Sequence, residues 1–201
     1  MNEMVKIIEC PRDAMQGLRE FVPTELKIKY LQKLIDTGFD AIDFGSFVSA
    51  KAIPQMKDTV EVLESLELSK STSRLLAIVA NKRGAFEAAQ HAKIKFIGYP
   101  FSVSETFQMR NTNSKIPDSF ETVKEINELC VKHHKQLVIY LSMAFGNPYG
   151  DEWNAEIVMN WVNELHRLGI KIIALSDTIG VAVPESIYYL FKNLIPHYSD
   201  I

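Results

Sequence analysis

The chain has 201 residues, 47% hydrophobic and 23% charged, which are the proportions of an ordinary globular domain able to bury a sizeable core. Its 22 Lys and Arg against 25 Asp and Glu leave a net charge of −3 with no basic run, arguing against nucleic acid or an anionic membrane as the main partner. Cys10 and Cys130 lie too far apart for a CxxC pair, no apolar stretch approaches the about eighteen residues that span a bilayer, and "MNEMVKIIEC" lacks the basic-then-apolar order of a signal peptide, so a reducing cytoplasm is expected.

In chain order, "MVKIIE" near 4–9 predicts a first strand, and it runs directly into "CPRDAMQG", where an arginine and an aspartate stand side by side. "PTELKIKYLQKLIDTG" predicts a helix that opens at Pro23 and Thr24, carries Leu26, Ile28, Leu31, Leu34 and Ile35 on its apolar side, and stops at Gly38. The basic, amphipathic "KIKYLQKLI" within it reads as a sheet-covering face and not as a membrane anchor. "DAIDFG" near 40–45 and "RLLAIVA" near 74–80 predict the next strands, and "NKRGAF" at 81–86 reads as a polar loop before a helix, with phosphate attraction as its other reading.

"IKFIGYP" near 94–100 predicts a fourth strand, and the polar, weakly periodic "SETFQMRNTNSK" after it predicts a mobile loop. "QLVIYLS" near 136–142 and "KIIALSD" near 171–177 predict the fifth and sixth strands, separated by a helix from Asn154 to Gly169. All six strands are dense in Ile, Leu, Val and aromatics, as expected when both faces are buried. "LIDTGFDAIDF" and "LHRLGIKIIAL" repeat one joint, a helix ending in glycine and a strand beginning within two residues.

Alternating strands and helices fit an open doubly wound sheet or part of a (β/α)8 barrel. The first strand–helix turn has no GxGxxG or GxxxxGK, which removes the usual nucleotide signature of the open sheet. Polar residues instead stand at the ends of several strands: Arg12, Asp13 and Gln16, then Asp43 and Ser46, then Ser142, then Asp177 and Thr178. Such strand ends converge on one mouth in a barrel. The expected fold class is therefore α/β, a (β/α)8 TIM barrel of which this chain supplies about six βα units.

A carboxylate just past a strand can hold a divalent cation, and a neighbouring arginine can neutralise charge developing on a substrate oxygen. The plainer reading makes Arg12-Asp13 a helix-entry pair, with Asp13 capping the turn and Arg12 solvated.

"PRDAMQ", "AIDFGSFVSAKAIPQM", "SMAFGNPYG" and "ALSDTIGVAVP" together resemble the 3-hydroxy-3-methylglutaryl-CoA lyase family, part of the wider DRE-TIM metallolyases, from about residue 4 to the end. The "SFVS…PQM" element is the most specific part, whereas the Arg-Asp pair also occurs in isopropylmalate and homocitrate synthases and in carboxyl-transfer domains. The resemblance implies a carbon–carbon lyase that cleaves 3-hydroxy-3-methylglutaryl-CoA to acetyl-CoA and acetoacetate, as in leucine degradation, with a related acyl-CoA condensing enzyme as the alternative. It implies Asp13 as a metal ligand, Arg12 as stabiliser of the enolate oxygen, Asp43 as the residue that orients Arg12, and Asp177 in proton transfer. Asp43 stands where the family has glutamate. Gln16, Ser46, Tyr140 and Thr178 are implied as substrate-binding groups, with "FGNPYG" bordering the acyl pocket, and the cofactor as Mg2+ or Mn2+.

The family completes its metal site with an HxH motif and an asparagine and supplies a loop cysteine as a proton donor, and this sequence shows none of them. His91, His133, His134, His166 and His197 are all expected in or beside helices. The expectation is a single, incomplete TIM-barrel lyase domain over 1–201, nearly inactive alone, whose two open sheet edges belong to a longer chain or face a second copy. A non-catalytic acyl-CoA-binding fragment is the other class of reading. A small-molecule acyl-CoA ligand, a cytoplasmic location and a homo-oligomer, a dimer, complete the expectations.

Overall fold

The computed structural model describes residues 5–198. Strands and helices alternate along them: β1 (Ile8–Glu9), α1 (Pro11–Gln16), α2 (Thr24–Thr37), β2 (Ala41–Ser46), a 3-10 turn (Pro54–Met56), α3 (Thr59–Ser65), β3 (Arg74–Ile78), α4 (Lys82–Ala89), β4 (Ile94–Ser102), α5 (Glu105–Thr112), α6 (Ile116–Lys132), β5 (Gln136–Ser142), α7 (Ala155–Arg167), β6 (Ile172–Leu175) and α8 (Pro184–Leu194). The six strands form one sheet in the order β1-β2-β3-β4-β5-β6. A doubly wound sheet reverses its strand order at a switch point, whereas consecutive strands of a barrel follow one another without reversal.

All six expected strands are present, but the first is shorter and more exposed than its apolar run suggests. β1 has two residues, and Ile7 and Ile8 are 59% and 48% exposed. It stands at one end of the strand order, so a single neighbour holds it. The ladder to β2 pairs Ile8 with Ala41 and Glu9 with Ile42, and Asp40 leads into it by donating its N–H to the Ile7 carbonyl and accepting the Ile7 N–H on its side chain.

Residues up to Ile97, together with His133–Lys135, form one compact unit. In it α2 turns Lys27, Leu31 and Ile35 inward, positions four apart on one helix face. Gly38 ends the helix at φ +83°, a left-handed conformation in which glycine has no Cβ penalty. β2 is buried along its whole length, and its pairing with β3 shifts register between Asp43 and Gly45. α4 begins at the "NKRGAF" segment: the Asn81 side chain accepts the Gly84 N–H, so these residues start a helix and are not a loop.

Gly98–Lys132 and the residues from Gln136 onward form the second unit. β5 and β6 pair in parallel from Val138–Ile172 to Leu141–Leu175, and Phe101, Phe120 and Trp161 pack as an aromatic cluster. α7 has the expected start, with Asn154 accepting the Ile157 N–H, and Gly169 follows it at φ +80°. The 104–115 segment corrects the expectation of a mobile loop. Ser104 caps α5 by accepting the Phe107 N–H, and buried Gln108 accepts the Ser102 N–H while donating to Thr112. Polar side chains satisfied by one another replaced the apolar stripe that periodicity detects.

Candidate active site

Arg12 is placed by α1, a helix of 6 residues with Pro11 at its first position, where the missing N–H has no helical partner to lose. Its side chain is only 10% exposed, so the solvated reading does not hold. Arg12 Nε donates to both oxygens of Asp43 at 3.1 Å, and Nη2 reaches Asp43 Oδ2 at 2.6 Å. Its Nη1 donates to Asp13 Oδ1 at 3.1 Å and to Gln16 Oε1 at 2.8 Å, and Gln16 Nε2 closes the ring by donating to Asp13 Oδ1 at 3.0 Å. The guanidinium plane is thus fixed from two sides, by a carboxylate on β2 and by the next turn of its own helix.

Asp43 is 1% exposed. Burial pushes its carboxyl up from the ordinary value, and the hydrogen bonds and charge of Arg12 pull it back toward ionisation. The Cys10 thiol next to this pair is pushed up to about 11, first by desolvation and then by the Asp43 carboxylate. The thiol therefore stays protonated at neutral pH, which suits a structural and not a nucleophilic cysteine.

Asp13 does not cap α1; its side chain is 65% exposed, with Oδ1 engaged by Arg12 and Gln16 and no hydrogen bond to Oδ2 among the described residues. That suits one ligand to a hard cation. Among the described residues no group of three His, Cys, Asp or Glu gathers to complete a metal site, so the residues present do not by themselves make a metal centre. The five histidines lie in or beside helices as expected, in α7 for His166 and next to α4, α6 and α8 for the others.

Ser46, expected to contact substrate, is 2% exposed and its Oγ bonds the Ile78 carbonyl and the Val48 N–H. It is a backbone clasp in this structure. The "PQM" motif has a role that sequence reasoning missed. Gln55 accepts the Val22 N–H and donates to the carbonyls of Leu18 and Glu20, pinning the loop that follows α1. Lys27, 2% exposed, donates to the Gln55 carbonyl and to Asp58 Oδ1, and it lies 4.1 Å from the Phe21 ring centre. A lysine on an apolar helix face was the available signal, because burial there demands a counter-charge.

In the second unit, Tyr140 is half-buried on β5. Asp177 follows β6 and accepts the N–H groups of Val181 and Ala182 at 2.9 Å each. Those two bonds, Ala182 first, hold its carboxyl below the ordinary value, so it is an ionised loop clasp. Thr178 Oγ1 accepts the Met143 N–H at 2.8 Å. In the "FGNPYG" loop Asn147 accepts the N–H groups of Tyr149 and Asp151 and donates to the Asp151 carbonyl, so the loop is held by its own side chains. Among the described residues no helix is long and apolar enough to cross a membrane.

The family model HMGL-like matches residues 5–200, and this is a family of metal-dependent lyases. A mitochondrial hydroxymethylglutaryl-CoA lyase of Arabidopsis thaliana is 32% identical over 194 residues, which are 96% of this chain and 41% of the plant protein. A cytoplasmic 3-hydroxy-3-methylglutaryl-CoA lyase of Homo sapiens is 32% identical over 97% of this chain and 52% of its own length. The solved HMG-CoA lyase of Acinetobacter baumannii, in complex with coenzyme A and 3-methylmalate, superposes with a TM-score of 0.90 at 29% identity, covering 98% of this chain and 64% of that one. The chain therefore spans about half the length of the curated relatives it matches, and its six parallel strands with their helices are those of a partial TIM barrel. With 5–200 matched end to end, this chain belongs to the HMGL-like family.

Proposed function

We propose that the protein containing this sequence is a carbon–carbon lyase that cleaves 3-hydroxy-3-methylglutaryl-CoA to acetyl-CoA and acetoacetate, with residues 1–201 as a single, incomplete TIM-barrel lyase domain. The observation that carries this reading is the locked Arg12 guanidinium, held on Asp43 at 2.6 Å and on Gln16 at 2.8 Å in a chain of the HMGL-like family. Retro-aldol cleavage places negative charge on a thioester oxygen, and a cation that need not reorient stabilises that charge more than the ground state. Arg12 supplies the cation, Asp43 and Gln16 hold it in place, and Asp13, 65% exposed, has only Oδ1 hydrogen-bonded among the described residues.

The cofactor in this reading is Mg2+ or Mn2+, to which Asp13 offers one oxygen. Asp177 takes the tertiary hydroxyl proton, which requires the 177–182 loop to release it from Val181 and Ala182. Tyr140, Thr178, Gln16 and Ser46 border the acyl chain in this reading, and for Ser46 that requires Val48 or Ile78 to let go of its hydroxyl. The coenzyme A bound by the Acinetobacter lyase supports an acyl-CoA ligand here. A cytoplasmic, dimeric enzyme is the accompanying proposal.

The test is to incubate the natural-length protein with the CoA ester and Mg2+ and to measure acetoacetate. Release of acetoacetate supports the lyase, and condensation of acetyl-CoA with a 2-oxo acid instead supports a synthase. Arg12→Ala is expected to slow cleavage about a thousandfold or more. A loss below about tenfold removes Arg12 from the mechanism.

A further inference from the structure

The strand ends opposite to Arg12 carry a cleft that the acyl-CoA reading leaves unused. It has a volume of about 500 Å³ and opens where β3 and β4 begin, beside the turn before β5, with every lining residue inside the first unit. Arg74, Lys93, Lys95 and Lys135 line it with His133 and His134, and no Asp or Glu does. In a chain with net charge −3 this is a local concentration of positive charge. A concave wall of one sign focuses its field and raises the local concentration of the opposite ion.

The six basic groups divide into fixed and available ones, and Arg74 is among the fixed, its Nη1 donating to the Thr72 carbonyl at 2.9 Å. Lys93 Nζ donates to the carbonyls of Leu63, Glu64 and Leu66 at 3.2, 2.8 and 2.7 Å, at the C-terminal end of α3 where a cation is favoured. Lys135 Nζ donates to the carbonyls of His91 and Ile94 at 2.8 and 2.7 Å, which ties the turn carrying the two histidines to the start of β4. Carbonyls fix the Lys93 ammonium without neutralising it. Glu67, held ionised by the Ser69 N–H on its Oε1, is a carboxylate that Lys93 feels from outside the lining. Among the described residues the side chains of Lys95, His133 and His134 have no hydrogen-bond partner, so their N–H groups are the ones a ligand can engage.

We propose that this cleft binds a small anion bearing a phosphate group, with Lys95 and the imidazoles of His133 and His134 as donors and Lys93 as a fixed background charge. Tetrahedral oxyanions accept several hydrogen bonds at once, which matches a lining that offers several N–H donors and no carboxylate. A nucleic acid fits poorly, because the cleft is bounded and the chain as a whole is acidic. This inference is independent of the lyase reading.

The test uses the full chain at fixed pH and ionic strength, titrated in separate arms with inorganic phosphate, glycerol 3-phosphate and chloride, while the ring resonances of His133 and His134 are followed. Saturable shifts with either phosphate compound and none with chloride are expected, and comparing the two phosphate arms tells free phosphate from a phosphate ester. Lys95→Ala should weaken binding about tenfold, the effect of one charge-assisted hydrogen bond. His134→Asn, which keeps a side chain tolerant of the observed φ of +56°, should weaken it without unfolding the turn. Shifts that do not saturate, that chloride reproduces, or that survive unchanged in Lys95→Ala overturn the proposal.

Discussion

Arg12 Nη2 and Asp43 Oδ2 stand 2.6 Å apart, with the two side chains 10% and 1% exposed. A buried pair of this kind contributes little compared with an apolar replacement, but breaking it from one side leaves a stranded charge. The two single removals are not equivalent. Asp43→Asn leaves a guanidinium that cannot lose its proton, and a stability loss of about 3–5 kcal/mol is expected in urea unfolding. Arg12→Met leaves a carboxyl that burial already pushes up, and that carboxyl takes a proton instead. For a folded pKa raised above the unfolded one, the group's stability is fully present below the unfolded pKa and is lost as pH rises through the folded pKa. Arg12→Met should therefore cost little in acid and progressively more above the ordinary carboxylate range. A pH-independent cost would show that Asp43 is not the titrating partner.

Gln55→Ala removes three bonds to the 18–22 backbone: the Val22 N–H at 2.8 Å, the Glu20 carbonyl at 2.8 Å and the Leu18 carbonyl at 3.3 Å. A loss of about 1–3 kcal/mol is expected, as for unsatisfied part-buried backbone groups. Amide exchange at Val22 should accelerate well before global unfolding does, because the loop is released locally. Equal protection in both proteins would mean that Gln55 merely fills space.

The strands were legible because β-branched runs between glycine-ended helices leave a pattern that survives without tertiary knowledge, as at Gly38 and Gly169. The Arg12-Asp13 pair stood out for the same reason, being charged where a turn residue was due. What stayed hidden depends on partners distant in sequence. Nothing in the sequence shows that the Ser46 hydroxyl reaches Ile78, 32 residues away, and α5 reads as a loop until Gln108 is found on Ser102. Lys27 was legible as a lysine on an apolar helix face, but its counter-charge Asp58, 31 positions on, was not.

Gly84 tests close backbone approach. A Cβ at this position would lie 2.5 Å from the Phe47 carbonyl oxygen, which is backbone and cannot rotate away. Alanine is the better helix former elsewhere, by up to about 1 kcal/mol over glycine. Here Gly84→Ala should instead destabilise by about 1–3 kcal/mol, the cost of overpacking, with α4 displaced from Phe47. A neutral or stabilised variant in thermal unfolding would show that helix and loop separate freely.

Asp151 gives the second pH dependence, of the opposite sign. Its Oδ2 accepts the Ser104 hydroxyl at 2.5 Å and the Thr106 N–H at 2.9 Å, and its Oδ1 accepts the Thr106 hydroxyl at 2.8 Å. These bonds, Ser104 first, lower its carboxyl below the ordinary value, and they lie at the N-terminal end of α5, where a negative charge is favoured. A group with a depressed folded pKa contributes stability that is present above the unfolded pKa and lost as pH falls through the folded one. Protonation also removes an acceptor that Ser104 and Thr106 share. Acidification below the ordinary carboxylate range should thus loosen the start of α5 while the rest of the second unit stays folded, seen as faster exchange of the Thr106 amide. Asp151→Asn should show fast Thr106 exchange at every pH, with the acid step gone. If the step persisted in that variant, the titrating group would be another carboxylate, with Glu105, which accepts the Ile116 N–H at the same end of α5, next to be tested.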